Sequence, residues 1–411
     1  MAKMRKAVLA VFLLSFGISL HAQEVTLRHA LSARNLDTLS TLVVRFNAAQ
    51  KGKGKVVLQD IKSANDGRHL PHMALLDSDD SITFFGTLPR FKPLYQAMKE
   101  SGVPLDAAGM YPQIAEAMSE KPGQLQALPL GLSLPVIYWN KELFRKAGLA
   151  PDTAPRTWHE VQTAAGALND AGIACPLTSS RFSWVHLENV TTQQGQPIFG
   201  QSNRVALNGL INVKHMAMLA SWYRSSYFRY YGARSEADAR FLSGECAMLT
   251  GESSLYADIY AAGRIKAGVG SLPYYEDEYG VTPGNVVPDG AGLWILAGKS
   301  KEEYKLMARF VAFLMQPEVQ RDWVKGTGYL PMTAQAIAAL RESGAPPAVL
   351  DAAARRLSIR SDKPRLKSGA LLTRLRDNIG EQIELVWRDK ISAKQALDVA
   401  MQRVNAIAIK Q

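Results

Sequence analysis

The side chains of this chain that could carry chemistry are few: seven histidines, two cysteines and several glycine-rich stretches. The histidines stand at 21, 29, 69, 72, 159, 186 and 215. They form no HExxH pair and adjoin no cysteine cluster. Only His69 and His72 share a helical spacing, too little to build a zinc site. The run from Gly292 to Ser300 has the outline of a phosphate-binding loop, but places five residues between Gly292 and Gly298 where that loop has four. Its apolar interior fits a strand followed by a helix cap. No Gly-x-Ser-x-Gly elbow occurs, and adjacent acids such as Asp79 and Asp80 suit a solvated loop. No catalytic residue, metal or cofactor is therefore expected, and the chain is not read as an enzyme. Cys175 and Cys246 are read as two buried thiols acting as small hydrophobes, with a bridge between them as the alternative.

The elements around these residues alternate short apolar runs with amphipathic helical patterns over 411 residues, the mark of α/β architecture. Val25 to Leu27, Val56 to Leu58, Met73 to Leu76 and Leu134 to Tyr138 read as strands, and Leu36 to Ala49 as a helix. Thr157 and Glu160 form a capping box, as do Ser300 and Glu303. Gly172 supplies a left-handed stop before the strand-like Ile173 to Leu177. Pro317 opens a helix through Val324. Leu372, Leu375, Ile379, Ile383 and Val386 mark another helix, and Ser392 caps the last. No low-complexity linker divides the chain, which favours lobes joined by several crossings.

Met1 to Ala22 carries Lys3, Arg5 and Lys6, an apolar stretch and a small-residue ending, the pattern of a signal peptide for export. The apolar run is shorter than a membrane span needs. Without it, 48 cations less these three face 37 acids, about +8. These charges are interleaved, and Lys51 to Lys55 is the one dense basic stretch, so no nucleic acid is expected as a partner.

Pro135 to Pro151, with Pro155 to Trp158, resembles the extracellular solute-binding proteins of ABC importers. Phe241 to Met248 and Thr327 to Pro331 are similar to two further motifs of that family. The resemblance covers nearly the whole mature chain, including Trp184 to Asn189, Ala291 to Trp294 and Ile383 to Trp387, and is strongest to the members that bind glycerol 3-phosphate. Between Lys55 and Asp80 it is weakest. It implies two α/β lobes around a ligand cleft with multiple hinge crossings: lobe 1 over 23–133 and 288–331, lobe 2 over 134–287 and 332–411. It also implies a periplasmic monomer that delivers its ligand to a membrane permease driven by a separate ATPase.

The same resemblance implies site residues. Ser133 matches a ligand-contacting serine, Gly290 a glycine whose amide approaches the ligand, Tyr329 a phenol donor and Trp184 a tryptophan packed on glycerol carbons. Arg376 matches an arginine whose fork suits two phosphate oxygens. Three positions depart. Glu252 replaces a serine, Arg181 replaces a tryptophan (or, with a one-residue slip, Phe182 does), and Asp79 stands for a glutamate. An ionised Glu252 would repel a phosphate. Pairing with Arg181 would cancel it, or the ligand would be a glycerophosphodiester with one negative charge. The rival readings are a carbohydrate-binding member of the family, a secreted phosphoester hydrolase and a structural envelope protein.

Overall fold

Eleven strands form two sheets in the computed structural model, which describes residues 23–60, 70–77, 91–200, 204–276, 286–344, 357 and 369–408. The expected signal at 1–22, His69 and Asp79 lie outside the described residues. In chain order the strands are β1 (Gln23–His29), β2 (Gly54–Asp60), β3 (Met73–Leu76), β4 (Phe91–Lys92), β5 (Leu128–Ser133), β6 (Pro135–Asn140), β7 (Cys175–Ser179), β8 (Phe228–Arg229), β9 (Cys246–Glu252), β10 (Ala267–Ser271) and β11 (Asp289–Leu296).

The first sheet runs β2-β1-β3-β11-β4, with β5 also beside β11. β1 is parallel to β2 and β3, whereas β11 is antiparallel to β3, β4 and β5. The second sheet runs β10-β6-β9-β7-β8. The chain passes from one sheet to the other through Leu134 and returns between β10 and β11. The two-lobed α/β architecture expected from the sequence is the one observed.

Each sheet has its own core. Helices Ala33–Ala49 and Lys301–Leu314 bury Leu39, Leu42, Phe46, Phe310 and Val311 against Val25, Leu27 and Leu293 of the first sheet. Helices Trp158–Asp170, Leu210–Arg224, Gly369–Trp387 and Ala393–Ala408 cover one face of the second sheet through Trp158, Leu168, Leu219, Ile379 and Leu397. Its other face holds Tyr138 and Leu249 with Phe241, Leu255 and Ile337.

Local signals fix where several helices start. Both capping boxes form: the Thr157 hydroxyl accepts from the Glu160 amide at 3.1 Å, and the Ser300 hydroxyl accepts from the Glu303 amide at 3.3 Å. The Pro317 helix runs on to Thr327, three residues past the expected end. It stops at Gly328, whose φ of +77° is the left-handed conformation glycine tolerates.

The cysteines correct the reading of two thiols: Cys175 and Cys246 are joined in a disulfide. The reason is register. β7 and β9 are parallel neighbours with Cys175 opposite Cys246, which brings their Cα atoms to 4.6 Å.

Candidate ligand cleft

The ends of four strands and one short helical turn converge between the sheets. β5 ends at Ser133, β9 ends at Glu252 and β11 begins with Asp289 and Gly290, all in register: Ser133 lies opposite Asp289, and Pro135, at the start of β6, opposite Glu252. Beyond β7 the chain turns through Arg181 into a π-helical turn, Trp184–Glu188. The wider winding of that turn sets Trp184 and Glu188 where an α-helix would space them differently, a feature common at functional sites.

Arg181 is the hub. Its Nε lies 2.8 Å from Glu252 Oε1 and its Nη2 donates to Asp289 Oδ2 at 3.0 Å. Its guanidinium also stands over the Trp184 ring, 5.9 Å from the centroid. Phe182, the alternative position, has its ring buried in the second core among His186, Phe228 and Trp387.

Arg376, expected to offer its fork to a phosphate, gives it to protein carboxylates instead. Nε and Nη2 donate to the two oxygens of Glu188 at 2.9 and 2.8 Å, and Nη1 donates to Asp289 at 2.6 Å. The bidentate pairing matches a planar fork to a planar acceptor. Burial works against the Arg376 charge, but Asp289 and Glu188 outweigh it and hold the guanidinium above its ordinary pKa. Burial likewise works against ionised Asp289, and Arg376 and Arg181 outweigh it in turn, so its carboxyl sits below the usual range. Two guanidinium groups thus meet three carboxylates, Glu188, Asp289 and Glu252, leaving one net negative charge. Arg181, Trp184, Arg234 and Arg376 nevertheless line a shared pocket with Ser183 and Asp377.

The remaining expected residues differ in character. The Ser133 hydroxyl is buried and, among the described residues, has no hydrogen-bond partner. Gly290 has φ of +138°, and a Cβ there would come within 2.1 Å of the Gly131 carbonyl oxygen; the glycine is required by strand against strand, independently of any ligand. The Trp184 ring is buried and its Nε1 donates to the Val287 carbonyl at 2.9 Å. Tyr329 stacks on Trp323 at 5.9 Å, and its hydroxyl is 3.4 Å from Asn35 Nδ2. Burial raises the Tyr329 pKa; Glu252 and Asp77 act in the same direction and Arg181 against it, so the phenol stays protonated and can donate.

The residues expected from the sequence do not include Glu188 and Asp289, which complete the ion-pair network, or Asn189 and Asn35 beside them. Glu188 closes the π-helical turn that Trp184 opens, and no local spacing in the sequence marks it. Asn189 accepts from the Val287 amide at 2.7 Å and donates to the Trp184 carbonyl at 2.9 Å, tying the π-helical turn to the segment before β11. Among the described residues, no three His, Cys, Asp or Glu side chains gather as a metal site requires.

Residues 48–349 match the family described as bacterial extracellular solute-binding protein. The sn-glycerol-3-phosphate-binding periplasmic protein UgpB of Yersinia enterocolitica is 35% identical over 330 residues, which cover 77% of this chain and 74% of the relative. Its Salmonella typhimurium counterpart is also 35% identical, with 77% and 75% covered. Among solved structures, UgpB from Mycobacterium tuberculosis in complex with glycerophosphocholine superposes with a TM-score of 0.73 at 21% identity, covering 94% of this chain and 99% of that one. The cyclic alpha-maltosyl-1,6-maltose binding protein from Arthrobacter globiformis gives 0.75 at 20% identity, with 94% and 99% covered.

Proposed function

The chain belongs to the bacterial extracellular solute-binding proteins, ligand-capturing components of ABC importers and not enzymes, and from that premise we propose that it captures a glycerol phosphate in the periplasm. The ligand class is sn-glycerol 3-phosphate or a glycerophosphodiester, and the working form is a monomer handing its cargo to a permease with its ATPase. Support for the ligand class comes from relatives named for glycerol 3-phosphate and from the pocket in which Arg181, Arg234 and Arg376 converge.

The carrying observation is the charge of the cleft. Glu252 adds an acid, Arg181 answers it, and the built site retains one net negative charge. Burial pushes the nearby Asp238 carboxyl up to about 7, with Glu252 and Asp258 acting in the same direction and Ser180 and Arg181 against it, so this acid is only partly ionised at neutral pH and the charge argument rests on Glu188, Asp289 and Glu252. A dianionic phosphomonoester meets more repulsion there than a phosphodiester with one negative charge and a cationic head group. Within the class, the diester is therefore favoured.

Isothermal titration of the mature protein with glycerol 3-phosphate, glycerophosphocholine, maltose and inorganic phosphate tests this. Glycerophosphocholine binding more tightly than glycerol 3-phosphate is the expected order. Binding of maltose alone would replace the reading with the carbohydrate-binding one.

A further inference from the structure

Helix Ala33–Ala49 turns an apolar stripe of Leu39, Leu42 and Phe46 toward the first core. Followed back by one turn, the stripe reaches Asn35, where the pattern calls for an apolar side chain. Asn35 is 8% exposed. Among the described residues its Oδ1 has no hydrogen-bond partner, while its Nδ2 is 3.4 Å from the Tyr329 hydroxyl. In either orientation of the carboxamide, one end meets Tyr329 and the other is left unsatisfied. An orphaned, desolvated polar atom is destabilising in a resting protein, and Asn35 does not cap its own helix to compensate.

The position explains it. The preceding residue, Arg34, donates to Asp258 at 2.8 Å and to the carbonyls of Gly326 and Thr327. Asp258 belongs to helix Leu255–Ala262, which packs on the second sheet, so the start of the Ala33–Ala49 helix lies where the two sheets' elements meet. Tyr329 is at the same place, within the electrostatic reach of Glu252, Arg181 and Asp77.

We propose that Asn35 is a further ligand-contacting residue: its carboxamide oxygen accepts from a hydroxyl of a bound polyol phosphate while its nitrogen holds the Tyr329 hydroxyl in place. This rests on the glycerol phosphate reading above, and it assigns the hydroxyl end of the ligand to Asn35 and Tyr329.

Asn35→Leu completes the apolar stripe and removes the acceptor. Titrations would use glycerol 3-phosphate, glycerophosphocholine and propyl phosphate, which lacks both glycerol hydroxyls and is measured by competition. The expected result is a loss of about fivefold to tenfold for the two glycerol compounds and no more than about twofold for propyl phosphate. The melting temperature of the ligand-free variant should be unchanged or higher, since an unsatisfied acceptor has gone. Equal losses for all three probes, or none, would overturn the assignment; Asn35→Ala supplies the same comparison if the leucine perturbs folding. Wild-type protein that binds neither glycerol compound would overturn the glycerol phosphate reading, and this one with it.

Discussion

Arg181 and Glu252, the two charged departures from the expected site pattern, form an ion pair of 2.8 Å. The two departures from the expected site pattern are therefore one departure: a charge introduced at the end of β9 is met by a charge at the turn after β7. Because Arg181 also reaches Asp289, and Asp289 reaches Arg376, the pair is part of a chain of alternating charges spanning both sheets.

Glu252→Gln removes one negative charge from the carboxylates that Arg181 pairs with. The affinity ratio of glycerol 3-phosphate to glycerophosphocholine should rise by about tenfold, because the dianion gains more from the change than the monoanion. Parallel titrations of both ligands read it; an unchanged ratio would remove the charge argument for ligand choice.

Arg376→Met strands Glu188, whose side chain is only 2% exposed, and leaves Asp289 with Arg181 as its cation. A loss of about 3–5 kcal/mol is expected in urea unfolding. Arg376→Lys should recover little of it, since an ammonium cannot match both oxygens of Glu188. The double change Arg376→Met with Glu188→Met should be less destabilising than Arg376→Met alone.

The Cys175–Cys246 bridge closes a segment with a sequence separation of 71. Reduction, or the double change to alanine, should cost about 4 kcal/mol if constraint of the unfolded chain dominates. Unfolding midpoints with and without dithiothreitol give the value.

His186 and His215 hydrogen-bond each other at 2.9 Å in the second core, and His215 is tied to the Tyr275 hydroxyl at 2.6 Å. Burial lowers both, with His215 held at about 3. The unfolded chain takes up protons near pH 6.5 and the folded one does not. Stability is thus fully present above that pH and falls as pH drops toward 3, by up to about 1.4 kcal/mol per unit for each histidine. Unfolding measured between pH 4 and 7 should show this slope, and a variant lacking both imidazoles should show a shallower one.

Features set within a few residues were legible in the chain. Thr157 and Glu160, Ser300 and Glu303, and Pro317 announce helix starts through groups three or four positions apart, and Met73 to Leu76 is a strand as read. Cys175 and Cys246 were not, because their pairing depends on which strand β7 chooses as a neighbour 71 residues later. The partners of Arg376 were hidden for the same reason: Glu188 lies 188 residues away and Asp289 lies 87. The π-helical turn at Trp184 to Glu188 carries no local signature, so the placement of both residues by one irregular winding could not be anticipated.

Arg181 also has a φ of +49°, in the left-handed region that arginine seldom occupies. Backbone and charge are therefore coupled during evolutionary drift at this codon. Replacement by glycine or asparagine would relax the main chain while deleting the cation, and replacement by valine or isoleucine would forfeit both. A lineage could shed Glu252 first and then replace Arg181 by glycine or asparagine, with Asp289 still paired to Arg376; in the opposite order each intermediate would carry Glu252 without Arg181 in the cleft.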